Sequence, residues 1–204
     1  VVVFEMKNKN NPLEEKTIEK YIKTLKHIGV TKLVTVTNDF VSNSTQSPLK
    51  LDKGLLKSFN LYHFSWTYLM TLGQILLFKN ETNIEDEDQV EIMKEALHYI
   101  EAPESGVSGY HKMKDGWKTT VKDIADRKTV KIGSVEVVEA IESWHEEERD
   151  MALLLSRKLG VFVKSTPRSM KSINDDSKRL QSDSELFGNL SIKDSVSDIK
   201  IKFF

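Results

Sequence analysis

The chain has 204 residues, enough for one sizeable core or for a medium domain with a small appendage. Hydrophobic residues make up 39 % and charged residues 30 %, a polar composition but not that of a disordered polyelectrolyte. Thirty basic against thirty-one acidic residues give a net charge of -1, so any binding to a polyanion has to be local, and the absence of cysteine excludes disulfides, thiol catalysis and cysteine-ligated zinc.

The chain opens on the apolar run Val1-Val2-Val3-Phe4-Glu5, which reads as a buried strand extending to Lys7, followed by a polar turn from Asn8 to Asn11. Asn11-Pro12-Leu13-Glu14 reads as a helix start, with Asn11 as N-cap, Pro12 at the first helical position and Glu14 completing a capping box. Ile18, Tyr21, Ile22, Leu25 and Ile28 then recur at helical spacing, and Gly29 supplies a left-handed cap. The β-branched stretch Thr31 to Thr37 predicts a second strand, which makes a β-α-β crossover and therefore an α/β sheet.

Ser42 to Ser58 reads as a loop, Phe59 to Phe64 as a third strand, and Ser65 as the cap of a helix from Trp66 to Phe78. Phe64 to Phe78 is the longest apolar stretch, but it is too short and too interrupted by Ser65, Thr67, Thr71, Gly73 and Gln74 to span a bilayer, so no membrane partner is expected. Glu85 to Asp88 starts a further helix with Val90, Met93, Leu97 and Ile100 as its stripe. A loop from Ala102 to Gly116, a short helix from Trp117 to Asp126 and a long one from Val135 to Leu159, closed by Gly160, follow. Ser165 to Ser184 is rich in Ser, Asp and Lys and is expected to be a loosely ordered linker. The chain closes on the alternating pattern Asp198 to Phe204, a half-buried strand. With both ends inside strand-like runs, the chain reads as a fragment of a longer protein.

Chemistry is most strongly signalled in the first strand. Side chains alternate across a strand, so Glu5 and Lys7 share one face while Phe4 and Met6 share the other. A carboxylate there can ligate a hard cation, and a neighbouring ammonium can orient a water or neutralise charge on a phosphoryl transition state. The bland reading is an ion pair at a strand end, and E-x-K is a short pattern that needs context. His63, flanked by Tyr62 and Phe64, is a candidate for contacts in the same cleft and equally a buried structural histidine.

That context, Val-Val-Val-Phe-Glu5-Met-Lys7 followed by a turn, an amphipathic helix carrying Tyr21 and a β-branched strand, resembles the PD-(D/E)XK nuclease superfamily, and the segment from Tyr62 through the helices to Asp150 is similar to uncharacterised bacterial proteins with that core. The helix departs from the superfamily's Gln-x-x-x-Tyr signature at Thr17 and matches it at Tyr21. The resemblance implies a phosphodiesterase core using Mg²⁺ or Mn²⁺ on DNA, with Glu5 and Lys7 catalytic, Glu5 and the Met6 carbonyl as metal ligands, and Lys9 and Tyr21 near the phosphate. The superfamily's further metal-binding Asp belongs to a preceding strand, upstream of Val1, so the 204 residues alone are expected to be inactive.

Other motifs are set aside. His145-Glu146 lacks the second histidine of a zinc-protease helix, because Arg149 stands four residues on. Ser105 to Gly109 is glycine-rich but lacks the Gly-Lys-Ser/Thr of a phosphate loop. Glu146 to Asp150 reads as an exposed helix face, Trp66, Trp117 and Trp144 as core anchors, and Lys16, Lys20, Lys23 and Lys26 as a solvated or DNA-facing stripe. The reading is an α/β chain with a truncated restriction-endonuclease-like mixed sheet over 1–80, a helical extension over 81–164, a linker over 165–190 and a β element from 191 to 204. The function expected is cytoplasmic DNA hydrolysis. The alternative is a non-catalytic module that binds a protein partner on a nuclease-like scaffold.

Overall fold

A computed structural model describes residues 1–8, 11–41, 44–45, 47–79, 86–195 and 198–203. The chain divides into two compact units, Val1–Gly109 and Tyr110–Phe204.

In the first unit, β1 (Val3–Met6), β2 (Lys32–Thr37) and β3 (Asn60–Ser65) form a sheet in the order β1-β2-β3. Both pairings are parallel, with Val3 opposite Leu33 and Leu33 opposite Leu61. The sheet is thus purely parallel among the described residues, where a mixed one was expected. The connection from β1 to β2 is α1 (Glu15–His27), whose Ile18, Ile22 and Leu25 bury against Leu33, Phe59 and Leu61.

The start of α1 differs from expectation. Glu14, in extended conformation, is the N-cap without a side-chain bond, and the first helical residue is Glu15. The Asn11 N–H instead closes a turn on the Asn8 carbonyl, and Leu13 is drawn into the core, so the chain cannot yet be helical at Pro12. Ile28 lies past the helix and is exposed, while Gly29 has φ +75° as its capping role requires. Lys26 takes no part in a solvated stripe: its Nζ donates to the carbonyls of Leu55 and Lys57 and pins the loop before β3.

Ser65 caps α2 (Trp66–Lys79) through the Tyr68 N–H, as read from the sequence. Asp86 caps α3 (Glu87–Glu101) by accepting from the Asp88 N–H. Gly73 lets α2 and α3 meet, since a Cβ there would lie 3.0 Å from Leu97.

The second unit is built on α5 (Val135–Leu159), with α4 (Asp115–Ala125) preceding it, and on an antiparallel sheet of β4 (Val163–Ser165), β5 (Leu186–Ile192) and β6 (Ile199–Phe203). Gly116 permits the approach of α4 to α5, because a Cβ would sit 2.4 Å from the Glu136 carbonyl. Its core joins Val137, Ile141 and Trp144 of α5 to Leu186.

The segment expected to be a linker is ordered: it contains α6 (Met170–Asp183), with a capping box between Ser169 and Ser172, and then β5. Ile173 and Leu180 of α6 are buried in the core, but the positions between them on the inner face are Asp176 and Ser177. Ser177 satisfies itself on the Ile173 carbonyl and Asp176 is ion-paired, so a helix that reads as polar is in fact half-buried. The expected helical extension over 81–164 likewise runs across the division between the two units. No helix among the described residues is long and apolar enough to cross a membrane.

Candidate functional site

On one face of the parallel sheet the register stacks residues in rows. Val3, Leu33 and Leu61 form an apolar row, and the next row toward the C-terminal ends is Glu5, Thr35 and His63. Beyond it Thr37 lies opposite Ser65, and Lys7 continues the ladder one residue past β1 through its N–H to the Val36 carbonyl at 2.9 Å. The sheet therefore turns from apolar to polar along its length, and the polar end is the C-terminal end, where open α/β sheets bind ligands.

Glu5 and Lys7 meet there: Lys7 Nζ lies 3.1 Å from Glu5 Oε1, with the two side chains 24 % and 20 % exposed respectively. The pair is accessible without being fully solvated. Trp66 steadies it from α2 by donating its indole N–H to the Lys7 carbonyl at 2.7 Å. The Met6 side chain is exposed on the opposite face, so only its backbone is available to a metal beside Glu5.

His63 is placed differently from the expected substrate contact. It is fully buried, its Nε2 donates to the Asp39 carbonyl and its Nδ1 lies 2.9 Å from the Thr35 hydroxyl. It cross-braces β2 and β3. Tyr21 is half-buried and packs against the α1 core, and Lys9 lies outside the described residues.

Two asparagines were not anticipated. Asn8 follows Lys7 and donates to the Ser105 carbonyl, while Asn38 follows β2, donates to the Gly106 carbonyl and accepts from the Ser108 N–H. They hold the glycine-rich loop against the C-terminal end of the sheet. The loop is no phosphate cradle, because the N–H groups of Gly106, Val107 and Ser108 are spent on Pro103, Ser105 and Asn38. The sequence signal was an asparagine directly after each of two strands.

Among the described residues no group of three or more His, Asp or Glu side chains could hold a metal ion. Glu5 supplies one carboxylate, and with Lys7 already on it these residues do not by themselves make a site for Mg²⁺ or Mn²⁺.

The second unit has its own polar concentration. Arg168 is buried and donates through Nε (3.0 Å) and Nη2 to Glu148 Oε2, through Nη1 (3.2 Å) to Asp176 Oδ2 and through Nη2 (2.9 Å) to the Phe187 carbonyl. Glu148, fully buried, also accepts from the Thr166 hydroxyl and the Asn189 N–H, and Gly188 leaves the space it occupies. His145 stands 2.8 Å from Asp176 through Nε2, and burial, with the nearby Arg168 charge, holds its pKa below the ordinary value despite Asp176. It is a neutral structural donor.

Glu146, Glu148 and Asp150 are buried, correcting the expectation of an exposed face. The cause is pairing: Lys114 reaches Glu146 at 2.9 Å and Glu142 at 2.7 Å, while Arg168 neutralises Glu148. Burial raises the pKa of Asp150 and of Glu147, and pushes Tyr110 up to about 12. Compared with protein-family models, with curated proteins and with solved structures, the chain matches none of them.

Proposed function

We propose that the first unit is the part of a divalent-metal-dependent nuclease that presents Glu5 and Lys7 to a DNA phosphodiester. The observation that supports this most is their placement: a partly open carboxylate–ammonium pair on one face at the C-terminal end of a parallel sheet, in register with the buried polar residues Thr35 and His63. In this reading Glu5 would supply one ligand to a metal that polarises the phosphate, and Lys7 would position the attacking water and offset charge on the phosphate. A second carboxylate has to come from outside the described residues.

The test is cleavage of plasmid DNA by the protein with Mn²⁺ or Mg²⁺. Glu5→Ala and Lys7→Met should each abolish cleavage while circular dichroism stays unchanged, and Mn²⁺ should raise the melting temperature of the parent but not of Glu5→Ala. Cleavage retained by both variants overturns the assignment.

The second reading, a scaffold that binds a protein partner, draws on one observation: no described carboxylates cluster beside Glu5. It predicts the absence of any Mn²⁺-dependent stabilisation.

A further inference from the structure

We propose that the first unit binds a second copy of this chain head to tail, the exposed crest of α1 in one copy packing along the crest of α3 in the next. Each helix buries one face: α1 through Ile18, Ile22 and Leu25, and α3 through Leu97, with Val90, Met93 and Ile100 half-buried beside it. The opposite crests carry different chemistry at the same spacing. On α1 the positions i, i+4, i+7 and i+11 are Lys16, Lys20, Lys23 and His27, all exposed. On α3 they are Asp88, Ile92, Glu95 and Tyr99, and Ile92 and Tyr99 are 69 % and 65 % exposed. An isolated exposed apolar residue calls for no partner, but these two stand on one line with a carboxylate before and between them.

The charges on both crests are available. Among the described residues none of Lys16, Lys20, Lys23, His27, Asp88 and Glu95 has an ion pair or a side-chain hydrogen bond. Glu91 is held by Lys94 at 2.6 Å, and Lys26 by the carbonyls of Leu55 and Lys57, so neither is counted. Laid antiparallel, the crests match position by position: His27 meets Asp88, Lys23 meets Ile92, Lys20 meets Glu95 and Lys16 meets Tyr99. Lys20 and Glu95 make a charge pair, and His27 faces a carboxylate. At the other positions the lysine stems cover the apolar side chains, with an ammonium over the Tyr99 ring. This direction also sets the C-terminal end of α1 beside the N-terminal end of α3, the favourable order of helix dipoles. Each crest spans about 16 Å, so their lengths agree.

The fold makes the contact open-ended. α1 packs on the sheet face of Leu33 and Leu61, whereas α3 rides on α2 through Leu97 at Gly73, and Tyr68 of α2 stacks on Phe64, which alternation places on the other face. A contact between α1 and α3 is therefore heterologous and leaves one crest unoccupied at each end. Exposed charge pairs contribute little singly, so the association is weak and sensitive to salt.

This inference does not depend on Glu5 or Lys7, and its test is independent of cleavage: sedimentation equilibrium of the whole chain at rising concentration. At low salt the average mass should grow past that of two copies, and about 500 mM salt should return it to the monomer. Lys20→Glu and Glu95→Lys, both at exposed positions, should each weaken association by about fivefold, because each turns an attraction into a repulsion. Mixed in equal amounts the two variants should regain it, since every contact between unlike variants again joins opposite charges. A monomer at every concentration, a mass that stops at two copies, or a mixture no better than its components overturns the proposal. A monomer whose Lys20→Glu variant loses binding to duplex DNA would overturn it too, and would assign the α1 crest to DNA.

Discussion

Arg168→Met removes one side chain from a network in which every other member is fixed. The substitution deletes the bonds to Glu148 Oε2, Asp176 Oδ2 and the Phe187 carbonyl. Asp176 keeps His145 and Arg179, but Glu148, with no exposed surface, keeps only the donors on Oε1 from Thr166 and Asn189. Breaking a buried pair from one side costs about 3–5 kcal/mol, because the remaining charge can neither be solvated nor matched. In a unit of this size that lowers the melting temperature by about 20 °C. A further readout follows. Adding Glu148→Gln removes the charge while keeping an oxygen for Thr166 and Asn189, so Arg168→Met/Glu148→Gln should recover about 2 kcal/mol over the single variant. Thermal and urea denaturation of the three proteins measure both. A loss below about 5 °C, or a double variant no better than the single, refutes the assignment of Arg168 as the hub.

His145 is held neutral by burial, so in the range just below its ordinary pKa of about 6.5 the unfolded chain takes up a proton that the fold refuses. Its contribution is therefore full above that value and is lost as pH falls below it, and His145→Gln should flatten the decline in urea midpoint between about pH 6.5 and 5; an unchanged slope counts against it. His63→Leu removes the donor to the Asp39 carbonyl and leaves the Thr35 hydroxyl only the Tyr62 carbonyl, and should cost about 1–3 kcal/mol, with any loss of activity tracking the fraction unfolded. A large loss of activity with the melting temperature intact would return His63 to the site.

The local elements were legible where a single physical rule fixes them. The β-branched run became β2 and its partner helix followed from apolar spacing, and Gly160 ends α5 with φ +64° where a left-handed cap was read. Failures came where tertiary pairing replaced apolarity. Asp176 and Ser177 occupy the inner face of α6, so its stripe is invisible to any count of hydrophobic residues. Glu146, Glu148 and Asp150 read as solvated for the same reason: Lys114 and Arg168, which neutralise the first two, lie about 20 to 30 residues away in sequence. In the candidate site, alternation correctly put Glu5 and Lys7 together, whereas the burial of His63 depends on the parallel register of β3, which no local pattern encodes.

That register also ties the second carboxylate of the nuclease reading to the edge strand β1. Parallel sheets are ordinarily covered on both faces, yet β1 stands at the sheet edge with Phe4 and Met6 exposed at 55 % and 47 %. Because the Lys7 N–H points to β2, alternation turns the N–H groups of Phe4 and Met6 toward the free edge, and the Met6 carbonyl with them. The nuclease reading requires a strand on that edge, since a carboxylate presented from it would stand beside both Glu5 and the Met6 carbonyl. Hydrogen exchange decides the point. If a strand pairs with that edge, the Phe4 and Met6 amides should exchange as slowly as that of Lys7; if none does, they should exchange quickly while Lys7 stays protected. Fast exchange at Phe4 and Met6 would mean that nothing pairs with β1. Glu5 would then have no partner for a metal, and the sheet would be left as a scaffold for protein binding.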